Sequence, residues 1–307
     1  MRDVAIVSFA TSGSLPAVED TETQMLFPVI SEAIERSGIP RADIGFTCSG
    51  SADYLAGTPF AFVGNLEAVG AWPPISESHV DMDGAWALYE AWVRLQHGDV
   101  DVALAFSSGI SSRSDLREVL CLQNDPYYVM PLWADHGSLA GLQARAAADA
   151  GLIPEADASV GTPPASDGAA AVILVAGDRA REVCERPAWI RGIEHRTDPH
   201  YLGVRDLAEV PSARLAAEAA GLGDAPVEVA QLSAAHPHEE VLLRRALGLG
   251  DEVEVHTGAD PLMVSGLVHI GEAFRQINEN GRRRTVGHAS SGACLQQNLV
   301  CVLEGDA

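Results

Sequence analysis

Basic residues are scarce in this chain. It has 307 residues, of which 43 are acidic and 20 basic, for a formal net charge of −23. Such a surface repels a phosphate backbone, so a nucleic-acid partner is disfavoured, and an anionic membrane surface with it. Cysteine is sparse as well. Cys48, Cys121, Cys184, Cys294 and Cys301 are scattered, odd in number and without CxxC spacing. That pattern argues against a disulfide framework and against a zinc site, so no metal is expected. Free thiols fit a reducing, cytoplasmic setting. The first residues run straight into an apolar stretch, without the basic start and cleavage site of a signal peptide. No apolar run reaches the roughly 20 residues that a membrane helix needs. Aromatic residues are few, at 6%, while 47% of the chain is hydrophobic and glycine is plentiful. A large core is therefore available, in an α/β protein with tight turns.

What is there is a pattern that occurs twice. Residues 82–109, MDGAWALYEAWVRLQHGDVDVALAFSSG, read as a buried helix, a tight turn and a strand ending in Ser-Ser-Gly. Residues 263–292 read the same way, with the helix MVSGLVHIGEAFRQINENG and then the strand RTVGHASSG. Around these, Arg2–Ala10 is a Val/Ile-rich strand and Thr21–Ser37 a helix capped by Thr21 or Thr23 and closed by Gly38. Residues 49–80 read as loop with one helix at Pro59–Gly70. Segment 110–166 is an excursion containing the helix Leu139–Gly151 and a Pro-rich linker over 152–166. A second half begins near Ala188, with helices at Pro211–Gly221, His238–Leu247 and Gly266–Glu279. Each half reads β-α-β-α-β-β, giving a domain division of 1–187 and 188–307 and mixed sheets covered by helices.

The run Ala85–Ser108 resembles the helix and strand that follow the reactive cysteine in thiolases. Asp43-Ile44-Gly45-Phe46, Cys48-Ser49-Gly50-Ser51, Glu77-Ser78-His79-Val80, Leu139–Arg145, Ser166–Ala170 and His288–Gly292 extend the resemblance along nearly the whole chain. Within the thiolase superfamily it is similar to the actinobacterial lipid-transfer protein branch, thiolase-like aldolases of sterol side-chain breakdown. The resemblance implies two duplicated α/β halves in a five-layer α-β-α-β-α arrangement. It implies a CoA thioester as substrate or ligand, with no covalently bound cofactor. Local arginines, helix N-termini or a basic partner can hold the CoA phosphates despite the acidic surface. It implies hetero-oligomers too, with a sister thiolase-like subunit or a DUF35-type OB-fold protein as partner.

The chemistry departs from the frame. Where thiolases carry the nucleophilic cysteine of a Cys-x-Ser-Gly turn, the chain reads Asp81-Met82-Asp83-Gly84, so the resemblance puts Asp81 at the cysteine position. The Gly-His-Pro histidine is matched by Ala259-Asp260-Pro261. The tyrosine positions of the steroid aldolases are matched by Ser233 and Ser290. Four catalytic candidates remain: His236, His288, Asp81 and Asp83. His236 sits in the densest polar cluster, His236-Pro237-His238-Glu239-Glu240, where a strand should emerge at its carboxyl end, and can serve as the base of a retro-aldol step. Its alternative is a plain helix entrance with Glu239 and Glu240 favoured by the dipole. His288, beside Ala289-Ser290-Ser291-Gly292, suits an oxyanion or substrate contact, or a structural strand end. Asp81 or Asp83 can act as a base, or merely cap the following helix. Substrate contacts are expected from His79, Ser233, His238, Asp260, Ser290, Ser291 and Gly292. The tryptophans read as core and interface, and His269 as an interface residue.

Three functions follow. The first is a thiolase-like subunit of an acyl-CoA carbon–carbon lyase of retro-aldol type, supporting a catalytic sister subunit. The second is a self-sufficient aldolase or acyltransferase using His236 and His288. The third is a noncatalytic acyl-CoA or lipid-binding protein.

Overall fold

The computed structural model describes residues 2–57, 59–70, 76–158, 165–259 and 261–306. Among them are ten strands: β1 Val4–Thr11, β2 Phe46–Gly50, β3 Ser76–Val80, β4 Val102–Ile110, β5 Asp167–Ala176, β6 Ala188–Thr197, β7 Val229–Ser233, β8 Glu254–Gly258, β9 Arg284–Ser291 and β10 Gln297–Glu304. The helices are α1 Glu22–Ser37, α2 Asp53–Ala56, α3 Phe62–Val69, α4 Gly84–His97, α5 Leu116–Leu122, α6 His136–Asp149, α7 Arg179–Val183, α8 Pro211–Ala219, α9 Pro237–Leu247 and α10 Ser265–Asn278.

The strand order is β3-β2-β4-β5-β1-β6-β10-β9-β7-β8. Each run of five has the same connectivity, so the order is palindromic about the β1–β6 join. That join is narrow: Ala5 pairs with Trp189 and Ile6 with Ala188, whereas β1 and β5 run together from Val4 to Thr11.

Side-chain alternation on β5 shows how the layers form. Ala170, Val172 and Leu174 point to α4 and α10 in one buried cluster. Ala169, Ala171, Ile173 and Val175 point the other way, onto α1. In the second half Leu299, Cys301 and Leu303 of β10 join the α4–α10 cluster, while Val300 and Val302 lie under α8 and α9. The result is helix, sheet, paired central helices, sheet and helix: five layers.

The sequence under-counts strands. Each half has five: the additional ones are β3 (SESHV), inside the stretch 49–80 expected as loop, and β8 (EVHTG), in a stretch where no element is expected. Both are short and polar, and both are edge strands of the sheet. An edge strand with one neighbour and a wet face carries little hydrophobic signal. The helix expected over Pro59–Gly70 is confined to Phe62–Val69. Thr21 is the residue that caps α1, in a capping box with Gln24. Asp260, Trp72 and part of the Pro-rich linker lie outside the described residues.

Candidate functional site

Strands β2, β3 and β4 are mutually parallel, as are β7, β8 and β9. Their carboxyl ends therefore gather at one edge of each half, the usual place for a site in α/β sheets. The central helices α4 and α10 both start there, and one side chain joins their starts. Asp83 is the N-cap of α4, accepting a 2.8 Å hydrogen bond from the Ala85 N–H. The same carboxylate accepts from the N–H groups of Gly266 at 3.0 Å and Leu267 at 3.1 Å, in the first turn of α10. A helix start leaves its first amides unpartnered, and Asp83 serves two starts at once. It is 3% exposed. Burial pushes its carboxyl pKa up, against the three backbone donors that lower it.

The packing around this junction requires glycine. A Cβ on Gly84 would collide with Ser107 Oγ and lie 2.9 Å from Leu267 Cδ2, and one on Gly50 would lie 2.8 Å from Gly84 Cα. The backbones of β2 and of the start of α4 approach too closely at Gly50 for any side chain, and at Gly84 the Ser107 and Leu267 side chains take the space.

Asp81, two residues earlier, is exposed and accepts from the Asp53 N–H at 3.3 Å. Asp53 in turn accepts from the Phe60 and Ala61 N–H groups at 2.8 and 3.0 Å, fixing the turn between α2 and α3. His79, half-buried on β3, bonds Ser49 Oγ through Nδ1 at 3.1 Å and stacks on Phe62 with ring centroids 4.3 Å apart. Burial lowers its pKa, while Asp81 and Asp53 oppose that shift.

A second group of candidates gathers on the other half. His236 is the N-cap residue of α9, and its ring stacks on that of His238 with centroids 5.6 Å apart. His238 is 2% exposed, and neither ring nitrogen has a partner among the described residues. Burial, helped by His236, pushes His238 down to about 4. Glu239 accepts from the Ala235 N–H at 2.6 Å and the His236 N–H at 3.1 Å, and burial raises it to about 7. His136, first residue of α6, is close enough for His236 to help lower its pKa, though burial is the larger cause. Ser290 Oγ lies 3.1 Å from Ser233 Oγ, where β9 and β7 end. Ser291 is half-buried and Gly292 exposed at φ +74° in the turn to β10.

His288 stands apart from both groups. Thr285 bonds the Ala273 carbonyl of α10, so alternation turns His288 to the opposite face, under α8. There it is fully buried, with Nε2 2.9 Å from Asn298 Oδ1. Asn298 donates to Ser212 Oγ at 2.7 Å, and Ser212 Oγ donates to Asp198 at 2.6 Å. Arg205 lies 3.9 Å from Asp198 and donates to the Cys294 carbonyl at 2.6 Å. Cys294 and Leu295, at φ +56° and +53°, occupy a backbone region costly for side chains, and Arg205 anchors that turn. The contacts of Asn298 with Ser212 and of Arg205 with Cys294 span 86 and 89 residues, so no local pattern in the sequence reports them.

The chain's covalent chemistry is limited. All five cysteines are buried, and burial holds Cys48 at about 12 and Cys294 at about 11. A protonated thiol is a poor nucleophile. The sequence contains no lysine at all, every one of its 20 basic residues being arginine. No amine side chain is available for a Schiff base.

No family model matches the sequence, and no curated protein matches it. Solved structures do. The chain is similar to human mitochondrial 3-ketoacyl-CoA thiolase, with a TM-score of 0.74 at 17% identity, over 100% of this chain and 99% of that one. The same human enzyme solved in complex with CoA gives 0.73 at 15% identity, over 100% and 98%. The fold is that of a thiolase. Among the described residues no helix is long and apolar enough to cross a membrane.

Proposed function

We propose that this chain is a thiolase-fold subunit of an acyl-CoA carbon–carbon lyase of retro-aldol type, and that it supports catalysis by a sister subunit. The observation carrying the proposal is Asp83. At the junction of the central helices, where the thiolase resemblance puts the reactive turn, the chain has a buried carboxylate with three backbone donors bound to it. A carboxylate is a poor acyl acceptor, and one so buried and engaged offers a substrate little free surface. No thiolate or amine elsewhere replaces it. The thiolase-like neighbour solved with CoA supports a CoA thioester as ligand. A sister thiolase-like chain and a DUF35-type OB-fold protein remain the proposed partners, and the sterol or lipid side chain the proposed acyl class.

One observation favours a second reading. His238 is buried with both ring nitrogens unpartnered, beside His236 and Glu239 at the carboxyl edge of β7. A base there would make the chain an aldolase in its own right.

The purified chain, incubated with a 3-hydroxyacyl-CoA, is expected to give no aldehyde or ketone product and no acyl-protein adduct by intact mass. Lyase activity is expected once a thiolase-like frame encoded beside it is co-purified. Turnover by the chain alone that is lost in His236→Ala establishes the second reading. An acyl adduct on any cysteine overturns the argument from buried thiols.

A further inference from the structure

A cleft of about 410 Å³ opens on the first half, between the start of α1, the α2–α3 segment and the carboxyl end of β4. Nothing in the proposed lyase role uses it. Leu55, Phe60 and Ile110 give it apolar walls. Two of its lining residues are charged, and their signs are opposite: Glu22 in the first turn of α1, and Arg113 just beyond β4.

Neither charge has an ion-pair partner among the described residues. Most arginines of the chain lie against a carboxylate. Arg113 instead donates through Nη2 to the Val18 and Asp20 carbonyls at 2.9 and 2.7 Å, which holds its guanidinium in place. Its Nε and Nη1 hydrogens have no acceptor among the described residues, so donors for a carboxylate remain. Glu22 lies near enough to feel the charge of Arg113 but forms no ion pair with it. Burial is the largest influence on the Glu22 carboxyl and raises its pKa, and neighbouring Asp53 raises it further. The negative charge of Glu22 is therefore short of both water and countercharge. A cation beside Glu22 and an anion beside Arg113 would supply what each lacks.

We propose that this cleft binds a zwitterionic α-amino acid with an apolar side chain, its carboxylate on Arg113, its ammonium on Glu22 and its side chain against Leu55, Phe60 and Ile110. The volume is that of a small-molecule site, and an apolar lining with a few placed polar groups is the usual composition of one. A ligand with one charge satisfies one wall and leaves the other bare. Thr23 Oγ1 and Ser114 Oγ, in the same lining, donate to the Gly64 and Leu55 carbonyls at 2.9 and 2.6 Å, so towards a ligand they act as acceptors. That suits the further hydrogens of an ammonium.

The test is calorimetric titration of the full-length chain, at neutral pH and low salt, with L-leucine and three partial analogues. These are 4-methylpentanoate, which lacks the ammonium, 3-methylbutylammonium, which lacks the carboxylate, and glycine, which lacks the side chain. L-leucine is expected to bind saturably and at least ten-fold tighter than each analogue. Three variants place the site. Glu22→Gln leaves the Thr21–Gln24 cap of α1 intact and should remove the preference over 4-methylpentanoate. Arg113→Gln should remove the preference over 3-methylbutylammonium. Gly64→Leu keeps both charges and narrows the cleft, because a Cβ there meets nothing nearer than Thr23 Oγ1 at 4.0 Å. It should weaken L-leucine at least ten-fold. Each variant is checked for native circular dichroism, and Gly64→Leu serves if Arg113→Gln loosens the loop that Arg113 anchors. No saturable heat with L-leucine overturns the site. A one-charge analogue binding as tightly as L-leucine overturns the zwitterion. Undiminished L-leucine binding in folded Glu22→Gln or Gly64→Leu overturns the placement. None of these outcomes depends on turnover, so the lyase reading stands or falls separately.

Discussion

Replacing Asp83 tests the junction of the two central helices directly. In Asp83→Ala the N–H groups of Ala85, Gly266 and Leu267 all lose their acceptor, in a place 3% exposed and crowded by Gly50, Gly84 and Leu267. An orphaned buried donor costs about 1–3 kcal/mol, so three of them put the loss at roughly 3–6 kcal/mol, allowing for partial relaxation. That is a large share of the 5–15 kcal/mol of a typical domain. Asp83→Ser keeps a capping oxygen for α4 but does not reach α10, and about 2–4 kcal/mol is expected. Asp83→Asn keeps the oxygen shared by Ala85 and Leu267 and turns an NH₂ toward the Gly266 N–H, for about 1–3 kcal/mol. The expected order of damage is Ala, Ser, Asn, read from urea midpoints at constant slope. Amide exchange adds a positional check. In Asp83→Ser the Gly266 and Leu267 amides should lose protection while Ala85 keeps it. An alanine variant within 1 kcal/mol of the parent, or unchanged protection at Gly266 and Leu267, would refute the double cap.

Gly84→Ala is expected to destabilise by about 1–3 kcal/mol through overpacking against Ser107 and Leu267, measurable by the same titration. Arg205→Ala leaves Asp198 and the 293–294 carbonyls without their cation, so a loss of about 3–5 kcal/mol is expected, with Arg205→Lys recovering only part of it. Stability should also fall as pH drops through the window from 6.5 to about 4. His238, His269 and His288 are each held from 6.5 down to about 4, so each takes up a proton on unfolding there. Glu239, raised from 4.5 to about 7, acts in the opposite sense between those values. These four groups alone take up about two protons net between pH 4.5 and 6.5, a slope of roughly 3 kcal/mol per pH unit, to which the lowered His79, His136 and His236 add and the raised Asp83 and Glu22 run counter. Urea midpoints that rise as pH falls through this range would contradict the burial of these groups, and His288→Gln should shallow the slope by one proton.

The elements readable in advance were those whose burial repeats along the chain. α4 and α10 carry broad apolar faces, β5 is apolar throughout because helices cover both its sides, and their succession exposed the duplication. β3 and β8 escaped notice because a polar edge strand is specified by its neighbour's backbone, not by its own side chains. The same limit applied to the site. Capping by Asp83 was one of two roles open to it, since an Asp before Gly-Ala-Trp can cap locally. Its second helix lies 183 residues on, and no local pattern reports that. The distinction matters for the chemistry. A carboxylate capping one helix at a surface can still exchange a proton with a substrate, whereas one that joins two buried helix starts is held by three donors and serves architecture. Asp81, exposed and bonded only to the Asp53 amide among the described residues, has the opposite character. Of the two carboxylates in the turn, Asp81 is therefore the one that a bound thioester or a partner chain can reach, and Asp81→Asn should alter ligand binding while leaving the urea midpoint nearly unchanged. A loss of stability in Asp81→Asn as large as in Asp83→Asn would mean that the two roles have been assigned to the wrong residues.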